Sequence, residues 1–267
     1  MLDLHTHTKY SDGQLSPKEL IMLAKQKNIK ILAVTDHDTI AGVCEALDAG
    51  QKYGVKVIAG IELSAEYDME MHILGYNIDI ENSELNNACD EFKRFRDERY
   101  LKIIKYLEDR NVYISGEDVL KYAEKGIIGR PHFARALIDK GYCETTQEAF
   151  DKYLAAKDFK KIERPKPSPE KCIEYITNAG GTAVLAHPFY LKKNEAELDV
   201  LLAELVSCGL SGLECYYSTN TEEYTELSLR MAKKHNLIIT AGSDYHGEKI
   251  KPDISLGIDV DLPGLVL

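Results

Sequence analysis

The sequence predicts an α/β fold whose strands close into a barrel interrupted by one helical insertion. Three observations predict it. Short, uniformly apolar runs alternate with amphipathic helical stretches in the first third of the chain and again in the last. Histidines and carboxylates recur at or just after the ends of those runs. Between them, from Ile80 to Lys161, charged and helix-favouring sequence contains no convincing strand. Repeating strand–helix units with apolar strands imply parallel pairing, and closure into a barrel sets every strand end on one rim. A chain of 267 residues can bury one large core and a smaller inserted domain.

Leu2–His5 is the first expected strand. Ser16-Pro17-Lys18-Glu19 then reads as N-cap, proline at the first helical position and glutamate at the third, a capping box opening a helix over Leu20–Lys27. Ile31–Val34 is a fully apolar strand ending at Thr35-Asp36-His37-Asp38. Val43–Tyr53 is a helix that stops at Gly54. Val55–Ile61 leads into Glu62-Leu63-Ser64, and His72–Tyr76 is the next strand. The helical candidates of the middle segment are Glu84–Asp109, Gly116–Glu124, Pro131–Lys140 and Thr146–Ala155, and the basic, proline-bearing stretch Lys160–Pro167 closes it like a linker. Ser168-Pro169-Glu170-Lys171 repeats the earlier helix start. Strands at Thr182–Ala186, Gly212–Tyr216, Leu237–Ala241 and Leu256–Val260, separated by helices Glu195–Val206 and Glu222–Lys234, complete the pattern. The expected division is a barrel domain of residues 1–79 and 162–267 with an inserted helical cap of residues 80–161.

Composition narrows the function. Hydrophobic residues make up 44% and charged residues 29% of the chain, an ordinary globular balance. No apolar stretch approaches a membrane span, and the N-terminus carries no signal-like core, so a cytoplasmic protein is expected. The net charge of -11 argues against wrapping duplex DNA. It is compatible with a small anion held by cations, because bound metal ions dominate the local field. Six cysteines without a C-x-x-C spacing read as reduced, mostly buried thiols.

The chemistry gathers at the strand ends. His5 and His7 form a His-x-His pair that points to one face of a strand, half of a metal site. His37, Glu62, His72, His187, Asp244 and His246 lie at or just after later strands. Any one of these histidines alone would read as a hydrogen-bonded core or loop residue. Together on one rim they imply a metal centre. Eight such groups, with Asp12, exceed what one ion needs and would serve two or three. Clustered ions that ionise a bridging water are typical machinery for phosphoester hydrolysis, and nitrogen and oxygen ligands without thiolate fit Mn²⁺, Fe²⁺ or Zn²⁺. His235, which follows Lys233-Lys234 at a helix end, instead suits the helix dipole. Asp36 and Asp38 read either as groups orienting the histidines or as turn residues. In the insertion, Arg130 of Gly129-Arg130-Pro131-His132 offers a planar fork for phosphate oxygens, and His132 stands beside it at a helix start.

His5-Thr6-His7, Thr35-Asp36-His37-Asp38, Gly60-Ile61-Glu62-Leu63-Ser64, Ala186-His187-Pro188 and Ser243-Asp244-Tyr245-His246 resemble the signature motifs of the PHP (polymerase and histidinol phosphatase) family over nearly the whole chain. The resemblance implies a distorted (β/α)7 barrel with three divalent metal ions. One ion would be held by His5, His7, Glu62 and Asp244, a second by Glu62, His72 and His187, and a third by Asp12, His37 and His246. Some relatives carry histidine at the position of Asp12. The Gly129–His132 stretch is similar to a motif of the nucleoside 3',5'-bisphosphate phosphatases and short-RNA 5'-exonucleases of that family, in which an inserted helical domain supplies an arginine and a histidine to the substrate. Arg96 and Arg99 are further phosphate-binding candidates, against a solvated helix face. Tyr190 is a candidate to stack on a base, against an ordinary loop aromatic. Where relatives often carry a histidine after the strand at Leu213–Tyr217, this chain reads Ser218-Thr219-Asn220-Thr221.

The expected activity is phosphomonoester hydrolysis by a metal-bridging hydroxide, with Arg130 neutralising phosphoryl charge and His132 either protonating the leaving alcohol or binding a phosphate oxygen. The substrate class implied by the resemblance is a nucleotide with a 3'-phosphate, adenosine 3',5'-bisphosphate first among them, with short RNA trimmed from its 5' end as a related case. The rivals are histidinol-phosphate phosphatase on the same fold, a noncatalytic metal-binding module, and a metal-dependent amidohydrolase. The last is disfavoured because no lysine lies among the ligand runs.

Overall fold

The computed structural model describes residues 1–123 and 126–262. Seven strands follow one another around a single sheet in sequence order: β1 (Leu2–Asp3), β2 (Ile31–Val34), β3 (Lys56–Ala65), β4 (Met71–Tyr76), β5 (Thr182–Leu185), β6 (Gly212–Tyr217) and β7 (Ile238–Gly242). Backbone bonds from Leu4 N to Ala241 O (2.9 Å), Asp244 N to His5 O (2.9 Å) and His7 N to Tyr245 O (2.9 Å) join the two ends of this sheet. The barrel is closed by that seam.

Each strand alternates between two apolar faces, as the period of two requires. Ile58, Leu74, Tyr76, Val184, Ala186 and Ala241 pack with Leu2 and Leu4 inside the barrel. Ile61, Leu63, Ile73, Leu185 and Leu213 face outward onto the helices. Among these helices, α1 (Pro17–Gln26) carries the full Ser16–Glu19 capping box, and α2 (Val43–Tyr53) ends at Gly54 in the left-handed region at φ 72°. On the other side of the barrel lie α7 (Pro169–Asn178), α8 (Glu195–Ser207) and α9 (Glu222–Lys234).

Between β4 and β5 the chain leaves the barrel as α3 (Ser83–Glu108), α4 (Gly116–Leu120), α5 (Arg130–Asp139) and α6 (Thr146–Ala149), the last running into a π-helical turn at Phe150–Leu154. These elements bury a separate apolar cluster, including Ile103, Leu107, Val119, Phe133, Leu137 and Leu154. Glu124, the expected end of α4, lies outside the described residues, as do residues 263–267 of the expected barrel domain. No helix among the described residues is long and apolar enough to cross a membrane.

Two expectations are corrected. Pairing is not uniformly parallel: β4 runs antiparallel to both β3 and β5. Only the short connection of residues 66–70 separates β3 from β4, and a parallel crossover needs a dozen residues or more. Leu256–Val260 is not a strand. It meets the sheet through one antiparallel bridge between Ile258 and Leu2, at the bottom of an already closed ring.

Asp3 ties the seam together. Its fully buried carboxylate accepts hydrogen bonds from the N–H groups of Ser243 (2.9 Å), Gly257 (2.8 Å) and His5 (3.3 Å) and from the Ser243 hydroxyl (2.5 Å). Asp3→Asn would turn an amide NH₂ towards some of these donors. A stability loss of about 2 kcal/mol is expected, read as a Tm drop of roughly 4–8 °C. A Tm unchanged within about a degree would show that the network contributes nothing.

Candidate metal centre

The nine expected ligands converge at the rim. Glu62, carried to the mouth by the inward alternation of β3, lies at the middle. Its Oε2 is 3.2 Å from His5 Nε2, 3.2 Å from His7 Nε2 and 2.9 Å from His37 Nδ1, and its Oε1 is 2.8 Å from His72 Nδ1 and 3.0 Å from His187 Nε2. Asp244 Oδ1 approaches His7 Nε2 at 3.1 Å, His246 Nδ1 at 3.3 Å and His5 Nε2 at 3.7 Å. Asp12 Oδ1 lies 3.2 Å from His246 Nε2.

Four overlapping groups have ligand atoms within 4.8 Å of one another: His7, Asp12, His37 and His246; His5, His7 and Asp244; His5, Glu62 and His187; and His37, Glu62 and His72. This partition differs from the implied one: His72 and His187 fall in different groups, His5 joins Glu62 and His187, and Glu62 is absent from the group of His5, His7 and Asp244. His7 reaches the Asp12 group, and His37 reaches towards Glu62 and His72. Glu62 belongs to two of the four groups, the position of a bridging carboxylate.

The cluster fits divalent cations. His5 Nε2, His7 Nε2, Asp12 Oδ1, His37 Nδ1, Glu62 Oε2 and His187 Nδ1 are buried without a hydrogen-bond partner. Buried polar atoms are rarely left so, and all but His187 Nδ1 face the shared centre. Six imidazoles with three carboxylates form a nitrogen and oxygen donor set suited to Mn²⁺, Fe²⁺ or Zn²⁺. Burial alone would raise the Glu62 carboxyl, yet His5, His37 and His72 around it hold it well below the usual range. His7 moves the other way: burial opposes its proton, but Asp244 and Glu62 lift it to about 9. Protons thus occupy positions for which metal ions compete, so affinity should weaken as pH falls.

Groups behind the ligands hold them in place. Glu214 of β6 bonds His5 Nδ1 at 3.0 Å and accepts the His187 N–H at 2.7 Å. The Ser11 hydroxyl lies 3.4 Å from His7 Nδ1 and donates to Asp36 at 2.6 Å, so Ser11 links the two while their charges also interact directly. Tyr217 OH (2.8 Å) and Lys251 Nζ (2.6 Å) both donate to Asp244 Oδ2. His187 and Asp244 adopt positive φ angles of 25° and 58°. Such strain is kept where the surroundings over-determine it.

The helical segment meets this centre at the start of α5. A Cβ on Gly129 would stand 3.4 Å from Asp12 Oδ2. His132 is buried, and its Nδ1 accepts the Gly129 N–H at 2.9 Å, which assigns its own proton to Nε2. Burial lowers its pKa to about 4, so the ring is neutral at physiological pH. Arg130 Nη2 pairs with the half-exposed Glu70 at 3.2 Å, and Glu70 Oε1 lies 3.8 Å from His72 Nε2. Arg96 is engaged by Asp38, with Nε at 2.9 Å and Nη2 at 2.5 Å, while Arg99 donates to the Ile162 carbonyl at 2.8 Å. Burial, with Arg130, Arg164 and Arg96 nearby, lowers the Arg99 pKa to about 10. Tyr190 stands edge-on to His187 at 5.3 Å, its hydroxyl 3.5 Å from those of Tyr217 and Thr219. His235 lies away from the cluster and bonds Asp199 at 2.8 Å.

Sequence reasoning missed Glu214, Lys251, Tyr217, Glu70 and Arg164 at this site. A signal existed for Glu214, a carboxylate within an otherwise apolar strand. For Arg164 there was none: it meets Asp38 Oδ2 at 2.7 Å across 126 positions of sequence.

Comparison with known proteins agrees with this geometry. Residues 3–249 match the PHP domain family. The 5'-3' exoribonuclease Rnm of Salmonella typhimurium is 34% identical over 98% of this chain and 89% of its own length. A 3',5'-nucleoside bisphosphate phosphatase of Chromobacterium violaceum is 29% identical over 92% of this chain and 87% of its own. The crystal structure of a proposed metal-dependent phosphoesterase from Bifidobacterium adolescentis superposes with a TM-score of 0.86 at 34% identity, covering 96% of this chain and 90% of that one.

Proposed function

The chain belongs to the PHP domain family and is a metal-dependent phosphoesterase, and we propose that it removes the 3'-phosphate from nucleoside 3',5'-bisphosphates, adenosine 3',5'-bisphosphate among them. The observation that carries this reading is the position of Arg130 and His132: both enter from the helical segment beside Asp12 and Glu70, against the ligand cluster. The relatives named as a bisphosphate phosphatase and an exoribonuclease support the same substrate class.

In this reading three divalent ions would share His5, His7, Asp12, His37, Glu62, His72, His187, Asp244 and His246, grouped as described above. Bound there, such ions supply a water ionised near neutral pH and positive charge for the phosphoryl oxygens. The chain's own groups do the rest. Arg130 exchanges Glu70 for two phosphate oxygens, a bidentate contact that a carboxylate partner leaves available. His132, neutral and protonated on Nε2, donates a hydrogen bond to a phosphate oxygen, a role that suits it better than protonating the leaving alcohol. Tyr190, half-exposed beside His187, offers a face to the base.

Arg96, Arg99, Arg130 and Arg164 lie close enough together for the other three to depress Arg99. That gathering favours a substrate with a second phosphate and disfavours histidinol phosphate, whose ammonium it would repel. Short RNA with a 5'-terminal phosphate fits the same contacts. The six free cysteines suit the reducing cytoplasm we propose as its setting.

The test is phosphate release from 3'-, 5'- and 3',5'-phosphorylated nucleotides and histidinol phosphate, with Mn²⁺ supplied. Preference for the bisphosphate is expected; faster turnover of histidinol phosphate would overturn the assignment. Arg130→Ala should lower kcat/KM for the bisphosphate about 10²-fold while metal content stays at the wild-type level. An unchanged kcat/KM would remove Arg130 from the site.

A further inference from the structure

We infer that Glu214 is a positioning residue that sets the tautomer of His5 and, with the same carboxylate, the backbone of His187. It rests on the metal reading of the cluster. Glu214 is fully buried on the inward face of β6, and its two oxygens have different partners. Oε1 lies 3.0 Å from His5 Nδ1. An ionised carboxylate only accepts, so the imidazole proton belongs on Nδ1. That leaves Nε2, buried, without a hydrogen-bond partner and 3.2 Å from Glu62 Oε2, as the ring nitrogen whose lone pair a divalent ion would take. Oε2 accepts the His187 N–H at 2.7 Å and so braces a residue at φ 25°, whose ring Nε2 also reaches Glu62. One side chain from β6 thereby aligns groups arriving from the ends of β1 and β5.

The adjoining strand leaves no room for a side chain beside this pair. A Cβ on Gly242 of β7 would fall 2.2 Å from His5 Cβ and 2.5 Å from Glu214 Oε1. The neighbouring strand therefore keeps a bare backbone at the one place where His5 and Glu214 meet.

This geometry makes glutamine a more damaging replacement than alanine. In Glu214→Gln the His187 N–H still needs an acceptor, so the amide oxygen faces His187 and the NH₂ faces His5 Nδ1. That donor forces the imidazole proton onto Nε2, the atom aimed at the cluster centre. The opposite amide orientation sets NH₂ against the His187 N–H instead. Alanine leaves a cavity but lets His5 choose either tautomer. A purely structural role predicts the reverse order, because glutamine preserves the packing and alanine does not.

The test is Zn²⁺ and Mn²⁺ affinity by chelator competition, with no substrate present, on wild type, Glu214→Gln and Glu214→Ala, each checked for fold by circular dichroism. Glu214→Gln should bind about 10–100-fold more weakly than wild type, and more weakly than Glu214→Ala. Glutamine binding as tightly as wild type, or more tightly than alanine, overturns the inference. A wild type that binds neither ion overturns the metal reading and this inference with it. If the glutamine variant does not fold, the imidazole ¹⁵N spectrum of the zinc-loaded wild type decides. A proton on His5 Nδ1 supports the assignment and a proton on Nε2 overturns it.

Discussion

Glu62→Gln is expected to abolish turnover and empty the centre while leaving the fold intact. The substitution is nearly isosteric, so packing at the end of β3 survives. What it removes is the one carboxylate, among the described residues, that comes within 3.2 Å of five different imidazoles. An amide keeps one acceptor oxygen and places a donor where the other stood, facing ring nitrogens from two or three strands. A carboxylate that joins two ligand groups cannot be replaced by any other residue of the cluster. Loss of at least about 10³-fold in kcat, or ~4 kcal/mol of transition-state stabilisation, is expected. Metal content by elemental analysis should fall in parallel. A variant with wild-type turnover and full metal content would refute the cluster assignment.

Asp38→Ala is expected to be the most destabilising single change outside the apolar core. Asp38 is buried and accepts from Arg96 of α3 and from Arg164, which returns the chain from the helical segment to the barrel; it also accepts from Ser64 N at 2.8 Å. Without it, two mostly buried guanidiniums face each other with no counter-charge. Removing one partner of a buried ion pair costs about 3–5 kcal/mol, a Tm drop of roughly 6–20 °C. A drop of under about 2 °C would show that the clamp does not hold the segment. The pH dependence has a definite sign. Burial would raise the Asp38 carboxyl, but Arg96 and Arg164 hold it well below its usual range. The folded protein therefore binds this proton less readily than the unfolded chain. The stabilisation is complete above about pH 4 and is lost as pH falls further.

What the sequence made legible were features with local signatures. The capping residues Ser16, Ser168 and Gly54 mark helix ends through their own backbone chemistry, and these held to within a few residues. The ligands were visible because a histidine or carboxylate at the end of an apolar run is costly unless it has a purpose. The rest depended on partners far along the chain. Nothing local tells that Asp38 meets Arg164, or that Arg96 turns from solvent towards the barrel. Antiparallel β4 was readable from the short connection at residues 66–70, but the run of apolar strands pointed to parallel pairing. Glu214 was an exception in principle, since burying a lone carboxylate between Leu213 and Cys215 asks for a partner.

The backbone seam between residues 4–7 and 241–245 has a bearing on when the protein becomes able to chelate. His5, His7 and Asp244 lie on the two lips of that seam, at opposite ends of the described chain. Bringing such distant segments together requires loop-closure entropy that local contacts do not offset until the ring is complete. Before closure, Asp244 and His246 are held apart from His5 and His7, whereas His37, Glu62 and His72 already lie on or beside neighbouring strands. The groups that depend on Asp244 or His246 therefore form only with the finished ring. The complete centre is thus a property of the closed barrel.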